Sequence, residues 1–234
     1  MSLTFVLTGT ITPNSTYVLY NDVNNRRMEY LNTIKYYLKY GVVYFLENSG
    51  YKFCDDNEFN TLKNLNIREI PKSNFYLKGK GFQEFEMLDY WISHEKNIPR
   101  KWFKITGRYI YQNIEKLCYD CINSFDVTMI IDLYKKNKKA NTAIFYIDTQ
   151  FYCDYILGLY LDCDDETNKS IEVIMFNLLK KLKNSNTRMF YLEPDVKATS
   201  GSTGKKIRNN IFLNYIKNIL RKINQLVSSK YILY

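Results

Sequence analysis

Leu3-Thr4-Phe5-Val6-Leu7-Thr8-Gly9-Thr10 and Val42-Val43-Tyr44-Phe45-Leu46-Glu47-Asn48-Ser49-Gly50 decide how this chain folds. Each is a short apolar run, rich in β-formers, closed by a turn signal, which marks a buried strand. Between them, Asn24 and Asn25 can cap a helix from about Arg26 to Tyr40. Within it Met28, Leu31, Ile34, Tyr37 and Leu38 recur at helical spacing and predict a core-facing stripe. A short helix over Phe59–Leu65 and a strand over Ile67–Ile70 continue the alternation. Strand–helix–strand–helix–strand predicts an α/β domain with a mostly parallel central sheet, right-handed crossovers and flanking helices.

Further along, helices are predicted over Gln83–His94, Ile114–Asn123 and Ile171–Leu182, the last capped by Ser170. Strands are predicted over Phe103–Thr106, Val127–Tyr134 and Ala143–Asp148, and Phe151–Leu161 is read as helix. Ser185–Lys206 reads as a polar loop interrupted by a strand at Met189–Leu192. A final helix spans residues 209–227. There is no internal repeat, linker or low-complexity segment, so residues 1–234 read as one domain.

The chain has 234 residues, 46% of them hydrophobic and 24% charged, an ordinary globular balance. Its net charge of +9 favours anionic partners. The positive charge lies in clusters, at Lys135-Lys136 with Lys138-Lys139, at Lys180-Lys181 with Lys183, and at Lys205-Lys206 with Arg208. Five cysteines and an N-terminus without a secretory apolar region predict free thiols in a reducing cytoplasm. Cys118 and Cys121 form a CxxC without a second ligand pair, and helical spacing accounts for them. No run of about 18 apolar residues predicts a transmembrane helix, so any membrane role is peripheral.

Phe103-Lys104-Ile105-Thr106-Gly107-Arg108-Tyr109 reads as a buried strand that ends in a glycine and then presents an arginine and a tyrosine. Ligands bind at strand ends in α/β sheets. An arginine there suits a phosphate or carboxylate, because its planar fork donates two parallel hydrogen bonds. Lys78-Gly79-Lys80-Gly81 upstream and Ser200-Gly201-Ser202-Thr203-Gly204 downstream have the composition of anion-binding loops.

Taken in order, Thr8-Gly9-Thr10, Glu47-Asn48-Ser49-Gly50, Lys78–Phe82 with Glu84 and Glu86, Lys104–Tyr109, Asp148–Tyr152, Ile171-Glu172 and Ser200–Gly204 resemble a family. The chain resembles the small bacterial GT-A-type glycosyltransferases found among capsule, O-antigen and lipopolysaccharide genes. The resemblance runs from about Thr4 to Gly204 and rests on the order of the motifs. It implies a single GT-A-like, Rossmann-like domain. It also implies transfer of a sugar from a nucleotide-sugar (UDP-, GDP-, TDP- or CMP-linked) to a glycan or lipid-linked acceptor in the cytoplasm, at the inner face of the membrane.

The resemblance implies that Thr8, Gly9, Thr10, Asn48 and Ser49 face the nucleotide and that Lys78, Gly79, Lys80 and Gly81 lie near the donor phosphates. Glu84, Lys104, Thr106, Gly107, Arg108, Tyr109, Ser200, Gly201 and Ser202 complete the expected donor site. Many members carry a metal-binding Asp-X-Asp where this chain has Thr106-Gly107-Arg108. That departure predicts that a divalent metal is not essential.

Each motif also has a plainer reading. Lys78–Gly81 lacks P-loop spacing and is also explained as a solvated turn. Arg108 would stabilise charge on a departing nucleoside diphosphate, or form a structural ion pair. Glu172 would be the general base on an acceptor hydroxyl, or a favourable charge at a helix N-terminus. Glu84 and Asp148 compete for the same catalytic role. Asp162-Cys163-Asp164-Asp165-Glu166 reads as an exposed acidic turn rather than a metal site, and His94 as a surface residue.

The last helix places Ile211, Phe212, Tyr215, Ile216, Ile219, Leu220, Ile223 and Leu226 on an apolar face. That face is expected to pack inward or make a dimer, with Lys217, Arg221 and Lys222 as a basic edge toward an anionic membrane. The competing functions are a nucleic-acid-binding module, disfavoured for want of a motif, and a nucleotide-binding protein without transferase activity.

Overall fold

The computed structural model describes residues 3–13, 20–165, 167–182, 186–199, 206–208 and 211–226. In chain order they form β1 (Leu3–Gly9), α1 (Val23–Tyr37), β2 (Gly41–Glu47), α2 (Asn57–Asn60), β3 (Leu65–Glu69) and α3 (Lys80–His94). Next come β4 (Lys101–Thr106), β5 (Ile110–Tyr111), α4 (Ile114–Ile122), β6 (Met129–Ile130), β7 (Leu133–Tyr134), β8 (Lys139–Ala140) and β9 (Ile144–Asp148). The chain continues with α5 (Thr149–Tyr155), α6 (Ile171–Lys181), β10 (Thr187–Arg188), β11 (Val196–Thr199), β12 (Lys206–Arg208) and α7 (Ile211–Leu226).

The main sheet has seven strands in the order β10-β6-β9-β4-β1-β2-β3. β3, β2, β1 and β4 run parallel, β9 runs antiparallel to β4 and β6, and β10 is parallel to β6. This is the mostly parallel, Rossmann-like α/β sheet the alternation predicts. Alternation along the strands sorts the core into two layers. Phe5, Leu7, Val43, Phe45, Phe103 and Ile105 share one layer with Leu31 and Ile34 of α1 and Leu117 of α4. Val6, Leu46, Trp102, Phe145 and Ile147 share the other with Phe85, Leu88 and Trp91 of α3 and Met175 and Leu179 of α6. Each layer buries enough large side chains, at about 1.5–3 kcal/mol apiece, to hold the helices in place.

Several local expectations shift. Asp22, not Asn24 or Asn25, caps α1, accepting from the Asn25 amide at 2.7 Å. The buried face of α1 carries Arg26, Tyr30, Thr33, Ile34 and Tyr37 as well as Leu31, and Met28 is exposed. The helix is rotated because Arg26 must reach backbone carbonyls after β1. The helix expected over Phe59–Leu65 stops at Asn60, and Asn64 adopts a left-handed φ of 64° that turns the chain into β3. The strand expected over Val127–Tyr134 breaks into β6 and β7 around the buried Asp132. Thr187–Arg188, rather than Met189–Leu192, is the strand at that edge. The polar stretch before Lys206 contains β11, which pairs with β5 and β12 in a second, three-stranded sheet. Cys118 and Cys121 lie on the buried face of α4, where burial pushes the Cys118 thiol up to about 12 and raises Cys121 further from reactivity. His94 is exposed and stacks on Tyr90 with ring centroids 3.9 Å apart.

The largest departure is α7. Its polar face is turned into the protein. Arg221 is fully buried and gives both terminal nitrogens to Asp132, at 2.8 and 2.7 Å, and its Nε to Glu193 at 3.0 Å. Lys217 donates to the other Glu193 oxygen at 2.7 Å. Burial raises the Asp132 pKa against the pull of Arg221. Burial also pushes Glu193 upward, but Arg221 and Lys217 outweigh it and leave Glu193 below its ordinary value. No helix among the described residues is long and apolar enough to cross a membrane.

Asp89 of α3 is a buried carboxylate that accepts from the Tyr152 hydroxyl and the Gly158 amide, both at 2.6 Å. Burial raises its pKa to about 6 despite these bonds. The folded protein therefore holds this proton more tightly than the unfolded chain, whose aspartate titrates near 3.9. The stability it confers is full below about pH 4 and is lost as pH rises through about 6. Urea denaturation across this window should show wild type losing roughly 3 kcal/mol relative to Asp89→Asn. Parallel profiles for the two proteins would contradict the assignment.

Candidate functional site

β1 sits between β2 and β4, so the chain direction across the sheet reverses between β1 and β4. Ligands of open α/β sheets bind at the carboxyl ends of the strands at such a switch point. Here Thr8 of β1 lies directly opposite Thr106 of β4. The Gly107 amide donates to the Thr8 carbonyl at 2.9 Å, which prolongs the pairing past the strand end.

Period-two alternation decides what meets beneath this point. Val6 and Trp102 face α3, so Thr8, Lys104 and Thr106 face α3 as well. There they meet Glu84. One carboxylate oxygen of Glu84 accepts from the Thr8 hydroxyl at 2.5 Å, the Thr106 hydroxyl at 2.9 Å and the Lys104 ammonium at 2.8 Å. Lys104 is fully buried and also donates to the Thr142 carbonyl at 2.6 Å. Burial lowers its pKa, while Glu84 and Glu172 pull it back up. The structure therefore places Lys104 under the strand ends, where it anchors Glu84 rather than reaching outward.

The β1 and β2 ends are locked together. The buried Glu47 carboxylate accepts from the Ile11 amide at 2.9 Å, the Ser49 amide at 3.0 Å and the Ser49 hydroxyl. Thr10 donates to Asn48 at 2.7 Å, and the Thr12 amide to the Ser49 hydroxyl at 3.0 Å. Thr8–Thr10 and Asn48–Ser49 are thus brought side by side. Arg26 fixes the same turn, donating to the Thr10 and Ile11 carbonyls and, at 3.0 Å, to that of Tyr20. Glycine is required at 9 and 107 by close packing. A Cβ at Gly9 would strike the Phe45 ring, and one at Gly107 would strike the Thr8 carbonyl oxygen.

Arg108 projects from this edge. It pairs with Glu29 of α1 at 2.9 Å, and its guanidinium lies over the rings of Tyr20 and Tyr30 at 5.4 and 5.8 Å. The ion pair that sequence allows for Arg108 is therefore present. Burial raises the Tyr109 pKa, Glu84 adds to the rise, and Arg108 opposes it, so this phenol lies within electrostatic reach of both. Lys80 joins the same field. Lost hydration lowers its pKa first, and repulsion from Arg108 and Arg26 lowers it further. Lys80 is thus within electrostatic reach of Arg108 and Arg26, with Asp165 opposing them and Glu29 paired to Arg108.

Lys78–Gly81 is built differently from an open phosphate cradle. Gly79 has φ 106° and precedes α3, and the first α3 amide, that of Lys80, donates to the Asp165 carboxylate. A Cβ at Gly79 would collide with that carboxylate, and one at Gly81 would press on Ile171. Asp165 belongs to the acidic turn that sequence read as solvent-facing, and it acts as the cap of α3. Lys78 stacks its ammonium over Phe75 and Phe82, at 5.5 and 5.3 Å.

Glu172, in the first turn of α6, lies within electrostatic reach of Lys104 and Asp165 and raises the pKa of both. Asp148 does not join these groups. It lies opposite Lys101 in the β4–β9 register, at the far end of β4, pairs with Arg100 at 3.5 Å and caps α5, accepting from the Gln150 amide at 2.9 Å. Ser200, Gly201 and Ser202 lie outside the described residues. Glu29, Arg26 and Tyr30 were not singled out from sequence, and Glu47 was quoted in its motif without a site role. Only Glu47, which directly precedes Asn48-Ser49, carried a local signal.

A divalent cation would need oxygen ligands here. The position after β4 offers Thr106-Gly107-Arg108, and the Glu84 oxygen nearest it is held by Lys104, Thr8 and Thr106. Among the described residues no three acidic, histidine or cysteine side chains are grouped to hold a metal. These residues do not fit a metal at that position.

No family model matches the chain, and no curated protein matches it. Solved structures show a distant likeness to it. The 4-diphosphocytidyl-2C-methyl-D-erythritol synthase of Anaerococcus prevotii is 11% identical, with 92% of this chain and 98% of that one covered and a TM-score of 0.44. The inositol-1-phosphate CTP transferase of T. maritima is 10% identical over 81% of this chain and 85% of its own, with a TM-score of 0.49. The glycosyltransferase GlyE of Streptococcus pneumoniae is 10% identical over 81% of this chain and 45% of its own, with a TM-score of 0.46. At these identities and scores the likeness says nothing of activity.

Glu84→Ala would leave the buried Lys104 ammonium without its counter-charge. It should cost roughly 3–5 kcal/mol in urea denaturation. The Lys104→Met, Glu84→Gln pair should recover most of that loss. A single-mutant cost under about 1 kcal/mol would show that the pair does not anchor α3 to the strand ends.

Proposed function

We propose that this chain is a nucleotide-sugar-dependent glycosyltransferase whose donor lies at the β1/β4 switch point. The observation that carries the reading is the position of Arg108 directly after the paired ends of β1 and β4, with Arg26 holding the β1 turn and Lys80 within electrostatic reach of both. Such a field suits a nucleoside diphosphate, because charge-assisted hydrogen bonds to phosphate are the strong ones. In this reading Thr8–Thr10, Asn48 and Ser49 flank the nucleotide, and Lys80 and Arg108 face the diphosphate. The acceptor is a glycan or a lipid-linked sugar.

The chemistry follows from the placement of charge. Glu172 takes the proton of an acceptor hydroxyl, whose oxygen bonds to the anomeric carbon. The bond from that carbon to the diphosphate oxygen breaks, and its electron pair leaves with the nucleotide. Lys80 and Arg108 stabilise the charge that builds there, a role preorganised cations perform well. With Glu172 as base, the transfer inverts the anomeric centre.

Calorimetric titration with UDP-, GDP-, TDP- and CMP-sugars in EDTA should identify one donor that binds. Lys80→Ala should weaken it about tenfold, and the melting temperature of the variant separates that loss from a loss of stability. Glu172→Gln should keep donor affinity and lose transfer and slow donor hydrolysis by at least about a hundredfold. Absence of binding by every donor, with or without manganese, would reject the reading.

A further inference from the structure

α7 is docked by its polar face and turns its apolar face to solvent. Asn214, Lys217, Asn218 and Arg221 all bond to the protein body, through Asp195, Glu193, Asp132 and the Phe190 carbonyl. On the opposite side Phe212, Tyr215, Ile216, Ile219 and Ile223 are between 38% and 69% exposed. Large β-branched and aromatic residues gain nothing from water. A helix held this way leaves its most apolar surface for another surface to cover.

We propose that this face of α7 pairs with α7 of a second copy of the chain in a two-fold dimer. Residues 212, 216, 219 and 223 step by four, three and four, the spacing of a helix–helix seam, and three of them are isoleucine. Roughly 500 Å² of apolar side chain is presented, so a self-complementary pairing buries about 1,000 Å² in all, the lower bound for a specific interface.

An anionic membrane is the poorer occupant. Helices that lie on such a surface keep a lysine- and arginine-rich face in water beside the headgroups. Here Lys217 and Arg221 are spent on Glu193 and Asp132. Lys222 is the one exposed basic side chain among those described on α7. The inference stands apart from the proposed reaction, because none of these residues lies at the switch point.

Sedimentation equilibrium of the full chain should give a dimer at micromolar concentration. Ile216→Ser with Ile219→Ser should raise the dissociation constant by at least about a hundredfold while the diluted proteins melt alike. Ile223→Lys is a second, independent disruption should the double variant fail to fold. A monomer at all concentrations overturns the proposal, and its recovery with phosphatidylglycerol vesicles would assign the face to lipid. A dimer that survives both sets of changes overturns it too, since the contact would lie elsewhere.

Discussion

A single oxygen of Glu84 holds the centre of this protein together. Three donors meet on it, the hydroxyls of two neighbouring parallel strands and the ammonium of a fully buried lysine. The fully buried Lys104 ammonium is tolerated only because the half-buried Glu84 carboxylate matches it. The match fixes α3 against the ends of β1 and β4 at the point where the sheet changes direction. Everything at that edge inherits its position from this contact. Gly107 can then bond to Thr8, Arg108 is aimed outward toward α1, and the first turn of α3 delivers Lys80 to the same field.

Around that anchor the protein separates fixed charge from available charge. Carboxylates such as Glu47 and Asp165 are spent on backbone amides that shape the β1–β2 and α3 turns. Arg26 is spent largely on carbonyls. Arg108 is matched by Glu29, and Lys80 lies within electrostatic reach of Arg108, Arg26 and Asp165, with Glu172 in the first turn of α6. On the proposed reading, these preorganised cations serve an anionic leaving group and Glu172 a hydroxyl nucleophile.

The sheet was legible because strand alternation and strand-end glycines are local signals. Thr8-Gly9-Thr10, Glu47-Asn48-Ser49-Gly50 and Lys104–Tyr109 declared themselves in the same way, and the sheet order brings them together. What stayed hidden was tertiary. Nothing around Arg26 announces that it caps a distant turn, and Asp165 reaches the α3 amides only through the fold. Asp148 looked like a site carboxylate until β9 proved antiparallel, which carries it to the far end of β4. The last helix misled for a similar reason. Its amphipathic pattern was plain, but the direction in which it docks depended on Asp132 and Glu193, both buried carboxylates in need of a cation.

On the proposed reading, the switch-point edge receives the donor diphosphate. Amide hydrogen exchange with and without a saturating nucleoside diphosphate tests it most directly. Exchange is expected to slow in the segments 8–12, 48–51 and 106–109, with the α5 end near Asp148 unchanged. Protection confined to the opposite end of the sheet, or none at all, would contradict it.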